Sequence, residues 1–119
     1  MNSREIGNIG EAKAKLYFIE LGYNVFSPET VNPPFDFIIE KGGVCNKIEV
    51  KSSNSKNGAI RLTTSYTTTK NNTFKLFNSP ADFLVLYHHL TNVLKIVKCS
   101  DYIGRNSIAI HTITDGNVI

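Results

Sequence analysis

The stretch that decides the fold runs Phe35-Asp36-Phe37-Ile38-Ile39-Glu40-Lys41-Gly42-Gly43-Val44-Cys45-Asn46-Lys47-Ile48-Glu49-Val50-Lys51-Ser52. Phe35 to Glu40 and Val44 to Lys51 read as strands, and Lys41-Gly42-Gly43 between them has the chemistry of a tight turn, so the pair is expected to form a hairpin. Side chains alternate faces along a strand. Glu49 and Lys51 therefore point the same way, while Ile48 and Val50 point into the core. Asp36 opens the first strand, and pairing through the turn brings it near Glu49.

A carboxylate and an ammonium side by side on one strand face, with a second carboxylate opposite, form an unusual group in an apolar hairpin. Two such carboxylates suit a hard divalent cation, because Mg²⁺ takes one or two carboxylates plus waters and substrate phosphate. The main-chain carbonyl of Val50 offers a further oxygen. Lys51 is then placed to hold a phosphate or an attacking water, with the cation stabilising developing negative charge.

Before the hairpin, Arg4 to Leu21 reads as a helix, with Ser3 as the expected N-cap and Gly22 as the stop signal. It carries two apolar stripes: Ile9, Ala12, Leu16 and Ile19 on one side, and Ala14, Phe18 and Leu21, in line with Glu11, nearly opposite. A helix apolar on two sides is usually covered on both, so one side is expected against a sheet and the other against a second subunit or a site wall. Tyr23 to Phe26 reads as a short strand and Ser27 to Pro34 as a loop. After the hairpin, Ser52 to Gly58 is loop-like and Ile60 to Thr69 is Thr-rich and extended. Lys70 to Asn78 is open between coil and a short helix. Phe83 to Tyr87 and Val93 to Val97 read as buried strands joined around Leu90-Thr91-Asn92, and Ser107 to Ile113 as one more strand. The order implies an α/β or α+β fold with one mixed sheet, in a single domain spanning residues 1–119.

Charge is unevenly placed. Residues 1–40 hold three bases and six acids, whereas residues 41–75 hold seven bases and the single acid Glu49. A basic block with so little counter-charge suits a polyanion, and Lys and Arg supply most phosphate contacts. A composition 41% hydrophobic and 19% charged is that of a folded globule rather than a disordered chain. The apolar runs are too short to span a bilayer, the first residues carry no secretory signal, and Cys45 and Cys99 lack metal-ligand spacing. A reducing, cytoplasmic setting with free thiols is the expectation.

Gly10-Glu11, Leu21-Gly22-Tyr23, Phe35-Asp36 and Glu49-Val50-Lys51-Ser52 together resemble the PD-(D/E)xK nuclease superfamily. Within it, the chain is most similar to the small-subunit branches: archaeal-type Holliday junction resolvases and intron-associated homing endonucleases. The resemblance implies a restriction-endonuclease-like core in αβββαβ order, a central mixed sheet flanked by helices, and Ala81 to Tyr87 as the strand after the second helix. It implies Asp36 and Glu49 as metal-binding carboxylates, Lys51 as the family lysine and Glu11 as the first-helix acid, assisting at a second metal or through water. Two departures stand out. Phe35 separates Pro34 from Asp36, and Thr63-Thr64-Ser65 and Thr67-Thr68-Thr69 occupy the place of the second helix.

These readings converge on a Mg²⁺-dependent DNA endonuclease, with Mn²⁺ as an alternative ion. Ser52, Lys56, Arg61, Lys70 and Lys75 are the candidate DNA contacts. One site per chain and two strands to cut imply a homo-oligomer, dimer or tetramer. The rival readings are a non-catalytic DNA-binding module on the same fold and an RNA-processing nuclease. Ordinary structural roles compete at each residue: Glu11 as the partner of Lys15 one turn on, Asp36 as a turn cap, and Glu49 with Lys51 as a surface ion pair.

Overall fold

The structure, a computed structural model, describes residues 1–67 and 72–113. Helix α1 (Ser3–Glu20) is capped by Asn2, whose side-chain oxygen accepts the Glu5 N–H at 2.9 Å. The cap thus lies one residue before the expected Ser3. Gly22 follows the C-cap with φ +91°, a conformation that a side chain disfavours, and ends the helix where the sequence implies.

Strands β1 (Asn24–Phe26), β2 (Phe37–Lys41), β3 (Val44–Ser53), β7 (Phe83–His88) and β8 (Val93–Lys98) form one sheet in the order β1-β2-β3-β7-β8. β2 and β3 pair antiparallel from Phe37↔Ile48 to Lys41↔Val44, leaving Gly42-Gly43 as a two-residue turn with both φ values positive. That is the backbone a tight hairpin requires, and glycine adopts it freely. β3 then changes partner: from Ile48 to Ser53 it runs parallel to β7, from Phe83 to His88. β7 and β8 close the sheet as an antiparallel pair.

Two apolar layers sandwich this sheet. On one face α1 lays Ala14 and Phe18 on Phe37, Ile39, Ile48, Val85 and Ile96, with Val50 at the margin. The helix stripe of Ala14 and Phe18 is therefore the inward one, and Ala12, Leu16 and Ile19 face solvent. On the other face Leu84, Leu86, Val97 and Cys99 meet Ile60, Leu62, Phe77, Ile108 and Ile110.

This second layer departs from the expected element order. The family pattern implies a second helix between the hairpin and β7; among the described residues that region forms β4 (Ala59–Arg61), β5 (Thr64–Thr67) and β6 (Asn72–Lys75). β5 pairs with β6, and β4 with β9 (Ser107–Ala109). The Thr-rich composition wins here, since β-branched side chains favour extended backbone, and the short helix considered for residues 70–78 gives way to β6 over 72–75. The last expected strand is real but short, giving way to a 3-10 turn at Ile110–Thr112. Among the described residues the fold is α+β, a five-stranded mixed sheet with one α-helix. No helix among the described residues is long and apolar enough to cross a membrane.

Candidate active site

Asp36 lies just before β2 and takes hold of β3 at two points. Its N–H donates to the Ile48 carbonyl at 2.9 Å, and its Oδ2 accepts the Val50 N–H at 2.6 Å. The residue enclosed between these points is Glu49. The carboxylate thus replaces a main-chain rung where the β2–β3 ladder has run out, and Asp36 is held against Glu49 by the backbone itself. In a strand, one residue's N–H and C=O point to the same edge. The Val50 carbonyl is therefore directed to the edge where Asp36 stands.

Glu49 and Lys51 share the sheet face opposite α1, as alternation from the buried Ile48 requires. Lys51 Nζ lies 3.5 Å from Glu49 Oε2, and the side chains are 24% and 18% exposed, so the pair is shielded yet reachable. The other Glu49 oxygen, Oε1, accepts the Ser79 hydroxyl at 2.8 Å. Behind Glu49 lies the buried Cys99 thiol, pushed up to about 12 by burial first and then by the Glu49 charge. It stays protonated at neutral pH.

Asp82 fixes the approach of β7 to this strand. Its Oδ2 accepts the Lys47 N–H at 2.8 Å, and its own N–H donates to the Lys47 carbonyl at 2.8 Å. β7 is thereby registered on β3 one residue before Glu49's neighbour Ile48 meets Phe83.

The remaining sequence candidates are spread out. Glu11 sits on α1, across β3 from the Glu49 face, with its carboxylate 3.9 Å from Lys15 Nζ. The Ser52 Oγ is buried without a hydrogen-bond partner. It lies beneath Gly10 of α1, because the even-numbered residues of β3 face the helix. Ser52 also lines, with Ser53 and Arg61, a groove of about 600 Å³ at the end of β3. Lys56, Arg61 and Lys75 are exposed. Ser55, Thr63, Asn106 and Ser107 line the same groove. Lys70 lies outside the described residues. Ser79 and Asp82 escape sequence reasoning, since no local pattern links them to a strand some thirty residues earlier; the one signal they carry is their position beside a strongly apolar run.

Among the described residues, no group of three or more His, Cys, Asp and Glu side chains is arranged to hold a metal ion. The oxygen donors that the pairing of Asp36 with β3 sets at neighbouring positions are the Asp36 and Glu49 carboxylates and the Val50 carbonyl. All are oxygens, and two carboxylates is a number that Mg²⁺ ordinarily takes from protein. The donor set therefore fits a hard divalent cation completed by water and phosphate.

A search of curated proteins finds no match. Among solved structures, a bacterial homing endonuclease, I-Ssp6803I, shares the fold, with a TM-score of 0.77 and 20% identity over 90% of this chain and 76% of that one. A family model described as PD-(D/E)XK endonuclease matches residues 1–115. On that match, which spans nearly the whole sequence, the chain belongs to the PD-(D/E)XK endonuclease family.

Proposed function

We propose that this nuclease hydrolyses phosphodiester bonds in DNA and depends on a divalent cation, Mg²⁺ in the first instance. The observation that carries the reading is the gathering of Asp36, Glu49 and Lys51 around one short length of β3 backbone, with Asp36 bonded on both sides of Glu49. Asp36, Glu49 and the Val50 carbonyl would hold the cation, and Glu11, on the far side of β3, is left outside that group. A bound cation would lower the pKa of a coordinated water and neutralise charge on the phosphate.

The chain's own residues supply the rest. Lys51 brings a positive charge to the group, positioned by Glu49, and can donate hydrogen bonds to a phosphate oxygen or orient the attacking water. The partly shielded setting of the pair strengthens that interaction relative to open water. Lys56, Arg61, Lys70 and Lys75 supply backbone contacts, which position nucleic acid without reading its sequence. The exposed stripe of Ala12, Leu16 and Ile19 on α1 is the surface on which two copies would meet to cut both strands.

The test is cleavage of a labelled four-way junction, its matching linear duplex and an RNA strand, with Mg²⁺ or EDTA, by the parent and Asp36→Ala proteins. Mg²⁺-dependent DNA cutting that vanishes in the variant is the expected result. Preference for the junction selects a resolvase, whereas cutting confined to one long duplex site selects a homing-type enzyme. Binding of DNA without cleavage under any metal and any sequence library would overturn the reading in favour of a binding module, and cleavage of RNA alone would overturn the DNA assignment.

A further inference from the structure

Ser79 stands in the segment between β6 and β7, and its hydroxyl meets the Ala81 N–H, the Glu49 carboxylate and the buried Cys99 thiol, which as a protonated group needs no proton from it. Its Oγ accepts the Ala81 main-chain N–H at 3.1 Å and lies 2.8 Å from Glu49 Oε1. A serine hydroxyl has one proton to give. With the Ala81 amide directed at its lone pair, that proton is directed at Glu49, which as a carboxylate can only accept. Glu49 Oε2 faces Lys51 Nζ at 3.5 Å. Each carboxylate oxygen therefore has its own partner, and rotation about the terminal torsion of Glu49 would break both contacts.

The segment carrying Ser79 is itself pinned. Phe77 is buried, its N–H donates to the Arg105 carbonyl at 3.0 Å, and its carbonyl accepts the Gly104 N–H at 2.7 Å. On the other side Ala81 is buried and Asp82 bonds twice to Lys47. Ser79 is held between two anchored residues, so its hydroxyl is set in place before any ligand arrives. A partner fixed in this way orients a carboxylate without having to reorganise when the carboxylate is used.

We propose that Ser79 is a positioning residue of the nuclease site, setting the orientation in which Glu49 meets a divalent cation. The inference rests on the nuclease reading of Asp36, Glu49 and Lys51 given above. It assigns to the β6–β7 segment a task that the expected second helix does not perform here.

The experiment compares the parent chain with Ser79→Ala and Ser79→Thr. Thr keeps the hydroxyl and serves as the conservative rescue. Calorimetric titration of the DNA-free proteins with Mn²⁺ should show affinity weakened about 10-fold in Ser79→Ala and largely restored in Ser79→Thr. Cleavage at saturating DNA should fall about 10- to 100-fold in Ser79→Ala, with KM for DNA unchanged and half-maximal rate reached only at higher metal concentration. Thermal melts of all three proteins establish that they are folded. Equal metal affinity in the parent and Ser79→Ala overturns the positioning role even if the parent cleaves normally. A parent that takes up no metal and cuts nothing overturns the nuclease reading on which it stands, and the Ser79 proposal falls with it.

Discussion

A methyl group added at Gly10 tests how tightly α1 sits on the strand that carries Glu49 and Lys51. Gly10 is buried on the sheet side of the helix, and a Cβ there would overlap the Ser52 hydroxyl. It would also stand 3.1 Å from the Tyr87 ring edge and 3.2 Å from Ser52 Cβ. In an open helix, glycine to alanine gains up to about 1 kcal/mol of helix propensity. Overpacking a filled core costs about 1–3 kcal/mol. The second effect wins at this position, and Gly10→Ala should lose about 1 kcal/mol net, lowering Tm by roughly 3–6 °C for a chain of this size.

Ser52→Ala should behave in the opposite way. Its Oγ is buried without a partner, so its removal is neutral or stabilising by up to about 1 kcal/mol. In the doubly substituted chain the overlap is gone, the remaining neighbours need yield only a few tenths of an ångström, and the helix propensity gain is realised. The cycle should therefore show a favourable coupling of about 1 kcal/mol or more, read from urea and thermal denaturation of the four proteins. Additive effects within about 0.5 kcal/mol would refute the reasoning, because contacting residues must couple and independent ones do not. So would a Gly10→Ala chain more stable than the parent.

Asp36→Asn keeps an oxygen for the Val50 N–H, so stability should change by under about 1 kcal/mol while cleavage falls at least about 100-fold; Asp36→Ala also removes the charged hydrogen bond and should cost about 1.5–3 kcal/mol, a split that denaturation beside cleavage assays reveals. The raised Cys99 pKa stabilises the fold fully below about pH 9.0, its ordinary value, and that stabilisation fades as pH rises towards about 12. The urea midpoint of the parent should fall above pH 9 more steeply than that of Cys99→Ala, and a thiol reagent should modify the exposed Cys45 at once and Cys99 only on unfolding. Arg61→Ala should weaken duplex binding and reduce the slope of log K against log salt by about 0.9, the signature of one fewer neutralised phosphate, measured by fluorescence anisotropy.

The hairpin is legible in the sequence because its signals are local. Gly42-Gly43 permits a two-residue turn, alternation then assigns faces to Ile48, Glu49, Val50 and Lys51, and Asp36 follows from the pairing. The helix is legible in extent, but the choice between its two stripes is not. Both are apolar, and only the position of the sheet decides that Ala14 and Phe18 turn inward while Leu16 and Ile19 remain exposed. Residues 60–78 show the competition between composition and family pattern. The threonines argue for extended backbone, and cross-strand pairing of Thr64↔Lys75 and its neighbours carries the same preference past residue 70, where the sequence leaves a helix open. The place of the Ser52 side chain on the helix side is legible from strand alternation, whereas its close approach to Gly10 is set by the packing of α1. Ser79 is out of reach of the sequence, since its partner is brought to it by the parallel pairing of β3 with β7.

That change of partner along β3 also orders the events by which the chain reaches its native state. The bonds of Asp36 to the β3 backbone close through a turn of two glycines, a short loop that forms at little entropic cost. Pairing β3 with β7 must wait for the whole of residues 54–82 to be threaded across, and non-local parallel pairing is slow. During synthesis or refolding the carboxylates therefore assemble first, and Glu49 remains free to swivel until β7 arrives with Ser79. A chain caught between the two steps would hold Asp36 and Glu49 on a formed hairpin and still lack the Ser79 contact, so activity should appear later in refolding than the hairpin itself.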